Sequence, residues 1–321
     1  MKAIIAPHYG APDSVRLIDL PKPQPQKDEV LVRIRAATVS AGDMRVRSGT
    51  FPRGFGLLAR LALGVKGPRQ PVLGTDLSGE VEAIGEGVTR FAPGDAVIAF
   101  VGAKFGCHAE YRCVPVAAPI CRKPDALSWE QATALPFGGT TALYFLRERA
   151  NVAHGERILI VGASGAVGSA AVQLARHMGG VVTAVTSTPN IARVAALGAD
   201  DVIDYRITDW AGLDRKWDVI LDTTGSVDLA RARPCLRDGG RLALVAASLP
   251  QMIGGVFARG VKVLTGTAPE RTNDLQLLAD LAAKGILTPV VSATFPLIEA
   301  ARAHAIAESG RKVGNVVLTM G

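Results

Sequence analysis

Apolar residues occur in short runs over the first third of the chain. Runs at residues 29–37, 79–84 and 96–100 are separated by proline and glycine, and Pro93, Gly94 and Asp95 provide a turn before the third run. Short apolar runs between turn residues are typical of β-strands. The sequence therefore predicts a β-rich unit over residues 1–125.

From residue 126 the pattern changes to apolar runs that alternate with helical segments. Ser128 provides a helix N-cap, and Gln131 completes a capping box. This alternation predicts a parallel sheet with helices on both of its faces, over residues 126–270. The predicted strands are residues 157–161, 181–186, 201–203, 219–222, 242–246 and 261–265. The predicted helices include residues 167–177, 191–197 and 227–234.

Shorter elements follow residue 270. The pattern predicts a helix at 272–285, a strand near 289–294, a helix at 297–308 and a last strand at 314–319. Residues 271–321 therefore form a third segment of the predicted organisation.

The most informative segment is a glycine-rich turn that follows the apolar run 158–161. A dinucleotide-binding fingerprint needs small residues at three places in such a turn. Ala163 stands at the first, for the tight turn, Gly165 at the second, for close approach of the pyrophosphate, and Gly168 at the third, for helix packing. The alternative is a glycine turn without a ligand. The predicted pyrophosphate contacts are Gly162, Ala163, Ser164, Gly165, Ala166, Val167 and Gly168.

The residues after the second strand of this unit bear on the choice of dinucleotide. NAD sites place a carboxylate there to bind the ribose hydroxyls, but this segment contains Ser187, Thr188 and Asn190, followed by Arg193. Hydroxyl groups and a cation suit a 2′-phosphate, so the sequence favours NADP over NAD. Alternatively, Arg193 only solvates a helix face.

Composition and charge limit the remaining possibilities. Hydrophobic residues make up 48% of the 321 residues and charged residues 20%, which excludes a disordered chain. The net charge of +7 is spread along the chain, so we expect no nucleic-acid partner. The uncharged run 158–175 reaches membrane length but contains the glycine turn, so we expect no membrane span. Four cysteines without CxxC spacing indicate a reduced, cytoplasmic protein.

Taken together, several segments resemble the zinc-free, quinone-oxidoreductase-like branch of the medium-chain dehydrogenase/reductase superfamily. The resemblance runs from end to end and is carried, besides the glycine turn, by residues 29–49, 71–100, 134–146, 197–205, 218–225 and 310–318. It implies an α/β fold, in which a GroES-like β-rich catalytic domain accompanies a Rossmann doubly wound parallel sheet. It also implies that the last segment of the chain returns to the first domain.

The resemblance also implies roles for individual residues. Thr141 would lie near the nicotinamide, Ser40 and Asp43 would line the cleft, and Tyr205 would lie near the adenosine phosphate. Phe51 stands where related enoyl reductases often have a tyrosine acid, so no proton donor is identified and water is the default. Further implied cofactor contacts are Thr223, Val245, Ala246, Lys312, Gly314 and Asn315. Asp43 has a second interpretation as a loop cap, and Asp222 as a strand-end turn.

The ligands that bind zinc in related alcohol dehydrogenases have no counterpart here. Residues 39–43 contain neither cysteine nor histidine, and the segment that reads Gly-His-Glu in those enzymes reads Gly74, Thr75, Asp76. Cys107 and His108 are adjacent and, on a strand, would point to opposite faces. We therefore expect no metal.

The expected activity is reduction of a small hydrophobic quinone or α,β-unsaturated carbonyl by hydride transfer from NADPH. The resemblance also implies a homodimer, for which residues 261–265 are the candidate sheet edge. Two alternatives remain open: a zinc-free alcohol or aldehyde dehydrogenase, and a non-catalytic NADPH-binding scaffold. The apolar segment 54–71 either closes over the acceptor as a lid or forms a surface helix.

Overall fold

The computed structural model describes residues 1–310 and 312–321. Its first part is rich in strands, as the sequence predicts. These strands are β1 Lys2–Ile5, β2 Arg16–Asp19, β3 Glu29–Thr38, β4 Asp76–Ile84, β5 Ala96–Phe100, β6 Tyr111–Pro115 and β7 Ile120–Arg122. Helices α1 Ala41–Ser48 and α2 Gly56–Leu63 lie between β3 and β4.

Strands and helices then alternate. The strands are β8 Arg157–Val161, β9 Val181–Thr186, β10 Asp201–Asp204, β11 Trp217–Asp222, β12 Leu236–Leu244 and β13 Lys262–Leu264. The helices are α3 Trp129–Thr133, α4 Pro136–Leu143, α5 Ala166–His177, α6 Ile191–Ala196, α7 Leu229–Ala232 and α8 Leu249–Val256. The predicted capping box at Ser128 and Gln131 is present at the start of α3.

The chain ends with α9 Thr272–Ala283, β14 Val291–Pro296, α10 Ala300–Glu308 and β15 Asn315–Thr319. Strand β15 pairs in parallel with β14 and antiparallel with β3. The end of the chain therefore joins the sheet that its beginning forms, in the order β14-β15-β3-β4-β5-β7 with β6 beside β3.

The middle of the chain forms a six-stranded sheet in the order β10-β9-β8-β11-β12-β13. Its pairings are parallel throughout the described strands, which confirms the predicted doubly wound sheet. One apolar core on this sheet contains Ile158, Val219 and Leu278, and a second contains Leu159, Trp217 and Leu242. The mixed architecture is the predicted combination of a GroES-like domain and a Rossmann sheet.

Two predicted elements differ from the structure. Strand β12 starts at Leu236 and not at residue 242, because Leu236 already pairs with Trp217. The register then shifts, and the next pair is Arg241 with Val219. The helix predicted over 227–234 is only α7, because the side chain of Asp228 caps its start and a tighter turn containing Pro234 follows it.

Helix α2 occupies the segment interpreted as either a lid or a surface helix. None of its residues is buried, and Leu57 is 74% exposed. Only Leu63, at its end, packs against the small apolar cluster that includes Val46 and Phe105. In the described part of the chain, no helix combines the length and apolar character needed to cross a membrane.

Candidate active site

The glycine turn connects β8 with α5. Gly162 has a positive φ of 82°, whereas Ala163 is fully buried and is not among the described residues with positive φ. The tight turn was predicted at Ala163, and this detail is wrong. Gly162 makes the turn because a left-handed backbone strongly favours glycine.

Gly165 and Gly168 have different roles in the same turn. A Cβ on Gly168 would lie 2.1 Å from the carbonyl oxygen of Gly162, so only glycine lets α5 pack this closely on the turn. A Cβ on Gly165 would meet only that same oxygen, at 3.5 Å. Gly165 is the N-cap of α5, so the unpaired backbone N–H groups of the first helical turn lie next to the open space at Gly165. This cradle fits a pyrophosphate.

A cavity of about 320 Å³ lies between the glycine turn and the ends of β9 and β10. It brings together six of the predicted cofactor residues, which come from four separate segments. They are Gly162, Ser164, Ser187, Asn190, Tyr205 and Lys312. Arg206 also lines this cavity, although it was not among the predicted cofactor residues.

Arg193 does not line this cavity, so its predicted place beside Ser187 is wrong. It lines another cavity together with Arg176, because the intervening turn and the start of α6 carry it away from the end of β9. The cation beside Ser187 is instead Arg206. Parallel neighbouring strands end at the same edge of a sheet, so the residues after β10 lie beside those after β9. This rule could have identified Arg206 from the sequence.

Asp204 connects the two loops that border this cavity. Its carboxylate accepts a hydrogen bond from the hydroxyl of Thr188 at 2.5 Å and another from the backbone N–H of Arg206 at 3.0 Å. The bond from Thr188, followed by the bond from Arg206, lowers the pKa of Asp204. The carboxylate of Asp204 therefore binds groups of the protein itself, Thr188 and the backbone of Arg206.

A second cavity, of about 580 Å³, separates α1 and the following loop from the ends of β11 and β12. This cavity is lined by Phe51, which was predicted as a cleft residue, and by Ala246, which was predicted as a cofactor contact. Thr224 lines this cavity and also the one at the glycine turn. The two spaces therefore form neighbouring parts of one cleft.

Turn residues beside this cleft have mainly structural contacts. The carboxylate of Asp222 accepts hydrogen bonds from the backbone of Thr224, Gly225 and Val227, as in the strand-end interpretation. The hydroxyl of Thr223 donates to the carbonyl oxygen of Val161 at 2.9 Å. The backbone N–H of Val245, at the end of β12, donates to the carbonyl oxygen of Asp222 at 3.0 Å.

A third cavity, of about 280 Å³, is bordered mainly by apolar surface. Thr141 lines it, together with Thr75 and the rings of Phe100, Phe105 and Phe137. The hydroxyl of Thr141 donates to the carbonyl oxygen of Phe137 at 2.7 Å within the helix. This space suits a flat, hydrophobic acceptor beside Thr141.

Ser40 and Asp43 do not border any of these cavities. They form the capping box of α1, in which the backbone N–H of Ser40 donates to the carboxylate of Asp43 at 2.8 Å. Asp43 is fully buried and also accepts from the backbone N–H of Gly74 at 2.7 Å. The geometry corresponds to the loop-cap interpretation, and the predicted cleft role of both residues is wrong.

The end of the chain meets the glycine turn directly. The backbone N–H of Gly314 donates to the carbonyl oxygen of Ser164 at 2.7 Å. Asn315, predicted as a cofactor contact, is buried, and its side-chain amide donates to the carbonyl oxygens of Ala134 and Val290.

Lys312 lines the cavity at the glycine turn while its ammonium donates to the carbonyl oxygen of Val39 at 3.4 Å. Burial lowers the pKa of Lys312, and the nearby charges of Asp43 and Asp76 oppose that effect.

Asp76 is fully buried at the start of β4. Its carboxyl accepts hydrogen bonds from the backbone and hydroxyl of Thr38, at 2.9 and 2.8 Å, and from the hydroxyl of Thr133 at 3.1 Å. Desolvation dominates over these bonds, and the charge of Asp43 adds to it, so the pKa of Asp76 is raised to about 6.

Cys107 and His108 do not form a metal centre with their neighbours. They lie in a loop and not on a strand, both are fully buried, and a ring nitrogen of His108 is 2.9 Å from the carbonyl oxygen of Thr38. Burial raises the pKa of the Cys107 thiol. Over residues 1–310 and 312–321, no group of three or more His, Cys, Asp or Glu side chains is placed to hold a metal ion.

The fold and the cleft define a dehydrogenase or reductase of the two-domain type, and comparisons with known proteins identify its family. Residues 26–125 match the model of the alcohol dehydrogenase GroES-like domain, and residues 197–318 match a model described as zinc-binding dehydrogenase. A quinone-oxidoreductase homolog of spinach chloroplasts is 35% identical over 73% of this chain and 70% of its own length. The tomato 2-methylene-furan-3-one reductase is 30% identical over 99% of this chain and 79% of its own length.

Solved structures agree with these relatives. The quinone oxidoreductase of Coxiella burnetii has a TM-score of 0.89 and 30% identity, and covers 99% of each chain. A mycobacterial protein solved in complex with NADPH has a TM-score of 0.81 and 28% identity, over 99% of this chain and 100% of that one. The chain belongs to the quinone-oxidoreductase-like branch of the medium-chain dehydrogenase/reductase superfamily, and it is an oxidoreductase that uses a nucleotide cofactor.

Substitution of the two turn glycines by alanine separates packing from ligand binding. Gly168→Ala should lower the free energy of unfolding by about 3 kcal/mol, because its Cβ overlaps backbone atoms that cannot move aside easily. Gly165→Ala should cost about 1 kcal/mol or less but weaken dinucleotide binding, because its methyl group enters the cradle. Denaturant unfolding and cofactor fluorescence measure the two effects. Equal loss of stability in both variants would contradict this division of roles.

The buried carboxyl of Asp76 predicts a pH-dependent stability. Its pKa is about 6 in the folded protein and about 3.9 in an unfolded chain, so the folded state holds this proton more tightly. The stabilisation is complete below about pH 4 and is lost as the pH rises through about 6. Relative to Asp76→Asn, the wild type should therefore lose up to about 3 kcal/mol across this range. A difference that stays constant from pH 4 to pH 8 would refute the assignment.

Proposed function

We propose that the protein is an NADPH-dependent reductase of quinones or α,β-unsaturated carbonyls, and that it works without a metal ion. The observation that carries this proposal is one interdomain cleft with a glycine cradle and hydroxyl and cationic groups at one end. An apolar cavity beside Thr141 is lined by Gly42 of α1, the helix whose Met44 lines the second cavity of this cleft. The relatives named for quinone and enone reduction, and the neighbour solved with NADPH, support the same activity.

The residues present fit the dinucleotide. Backbone N–H groups from Gly165 onward would bind the pyrophosphate, and Ser187, Tyr205 and Arg206 would surround the 2′-phosphate. Lys312 lines the same cavity, and its ammonium lies at the carbonyl oxygen of Val39. When bound, NADPH supplies a hydride from its nicotinamide ring. The protein orients the two reactants and excludes water from the apolar space.

The side chains around the acceptor space favour an electron-poor substrate. Thr75 stands where zinc-dependent relatives have a histidine ligand, and Ser40 is committed to the cap of α1. Hydroxyl groups of this kind do not make a zinc site of the usual nitrogen and sulfur ligands. Quinones and enones accept hydride without further polarisation, and the three phenylalanine rings suit their flat faces.

Homodimer formation and a cytoplasmic location are also part of this proposal. Strand β13 is an edge of the six-stranded sheet, and Val256, at the end of the adjacent α8, and Phe257, which follows it, are exposed. A second copy that pairs along β13 would cover both features. All four cysteines are free thiols, which suits a reducing compartment.

The acceptor class is tested by the loss of NADPH absorbance with matched substrates. We expect turnover with quinones and enones and none with the corresponding saturated ketones or alcohols. Reduction of ketones at comparable rates would favour the alcohol or aldehyde dehydrogenase alternative. Tight NADPH binding with no turnover across the panel would leave only the scaffold alternative.

Cofactor choice is tested by three single substitutions. Ser187→Asp should weaken NADPH binding and favour NADH, because its carboxylate repels a 2′-phosphate and suits ribose hydroxyls. Arg206→Ala should weaken NADPH by about tenfold or more and leave NADH almost unchanged, since a bond to a charged group contributes about 1.5–3 kcal/mol. Arg193→Ala is the matched control in a separate cavity. If only Arg193→Ala weakens NADPH, the assignment of Arg206 is wrong.

A further inference from the structure

A side chain that lines the acceptor cavity is hydrogen-bonded to a buried acid. Thr75 is 5% exposed and lines the apolar cavity together with Thr141. Its hydroxyl donates to the carboxyl of Asp76 at 3.3 Å. Thr75 thus separates the fully buried Asp76 from the space in which a substrate is reduced.

Reduction of an enone or a quinone requires a proton as well as a hydride, and the usual tyrosine position is occupied by Phe51. Four threonines line the acceptor cavity, of which Thr267 is exposed to solvent. The hydroxyls of Thr140 and Thr141 both donate to backbone carbonyl oxygens of their own helix, which leaves Thr75 as the third buried or half-buried hydroxyl. Only the hydroxyl of Thr75 among these three leads to a titratable group. Glu270 also lines the cavity, but it is an exposed residue in contact with solvent.

We propose that Asp76 supplies the proton of the reduction through the hydroxyl of Thr75, which contacts the acceptor. The inference rests on the proposed function. The bound dinucleotide would supply a hydride to the β carbon of an enone, and the electron pair of the C=C bond would move toward the carbonyl to give an enolate. The Thr75 hydroxyl gives its proton to the resulting enolate and receives the proton of Asp76. Asp76 is left as a carboxylate and regains a proton from water after the product leaves.

The surroundings of Asp76 suit a group that alternates between acid and carboxylate. Thr38 and Thr133 donate to it and stabilise the carboxylate, whereas burial and Asp43 on α1 favour the protonated acid. Lys312, in the segment before β15, interacts with both carboxyls. The other titratable neighbours are Cys107, which interacts with both carboxyls, and His108, whose ring contacts the carbonyl oxygen of Thr38. The resulting pKa of about 6 lies near the range in which a general acid works efficiently.

The first test compares Thr75→Val, which keeps the shape of the side chain, with Thr75→Ser, which keeps the hydroxyl. In the wild type, kcat for an enone should fall by about tenfold per pH unit above about pH 6, as Asp76 ionises. Thr75→Val should lower kcat by about 100-fold near pH 5.5 and give a flat profile. Thr75→Ser should keep the wild-type fall of kcat with rising pH, because it retains the hydroxyl.

A second measurement reads the direction of proton delivery even if protonation does not limit the rate. Reduction of an α-methyl cyclic enone in D₂O should place deuterium on one face of the α carbon in the wild type and in Thr75→Ser. Thr75→Val should give both stereoisomers, because water then reaches the enolate without a fixed direction.

A third measurement needs neither cofactor nor turnover. Infrared difference spectra between about pH 5 and pH 8 should show a buried carboxylic-acid C=O band that Asp76→Asn removes. Thr75→Val should shift this band, because it loses one hydrogen bond. The stability series for Asp76→Asn establishes that this variant is folded.

The outcomes separate the relay from the proposed function. A wild type that reduces no quinone or enone overturns both. An active wild type with the same pH profile and the same stereochemistry in Thr75→Val overturns the relay alone. Absence of the carboxylic-acid band in the folded wild type also overturns the relay, whatever the activity.

Discussion

A backbone contact joins the glycine turn to the returning end of the chain, and the cleft between the two sheets is built around it. The N–H of Gly314 donates to the carbonyl oxygen of Ser164, and the chain continues from there into β15, which pairs with β3. The end of the chain thus holds the glycine turn against the β-rich sheet. Gly314 has a positive φ of 54°, and a Cβ there would lie 2.2 Å from the carbonyl oxygen of Val290. Glycine is therefore required for both the conformation and the close approach.

Buried polar groups are concentrated on the β-rich side of this contact. Asp43, Asp76 and Arg47 are all fully buried, and Arg47 pairs with Glu308 at 2.6 Å. Such groups are costly to remove from water unless partners surround them. Asp43 is well supplied with donors by the α1 cap and Gly74, whereas Asp76 keeps a raised pKa. Asp43 is assigned to structure because it caps α1, whereas Asp76 is assigned to proton transfer because it is bonded to Thr75, which lines the acceptor cavity.

Local sequence patterns predicted the fold well because they follow from backbone requirements. The capping box at Ser128, the strand before Gly162 and the parallel order of the sheet all depend on short-range signals or on strand alternation. The β12 start was missed because a bulge containing Gly239 interrupts the apolar pattern.

The site was predicted less completely, since side-chain direction depends on tertiary structure. Ser187 and Tyr205 meet in one cavity as expected, but Arg193 and Arg206 exchange roles, because a helix rotates one away and a neighbouring strand brings the other in. Asp43 had two interpretations in the sequence, and only the distance to Ser40 distinguishes them. Asp76 appeared in the sequence prediction only as the last residue of the segment that lacks the zinc-binding histidine, because its bond to the cavity-lining Thr75 leaves no pattern in the sequence.

The central claim is that one cleft binds NADPH along the glycine turn and presents it to the apolar cavity. A crystal structure of the protein with NADPH tests this most directly. We predict density for the pyrophosphate at Ser164 and Gly165, for the 2′-phosphate among Ser187, Tyr205 and Arg206, and for the nicotinamide beside Thr141. A dinucleotide bound elsewhere, or a 2′-phosphate directed away from Ser187 and Arg206, would contradict the account.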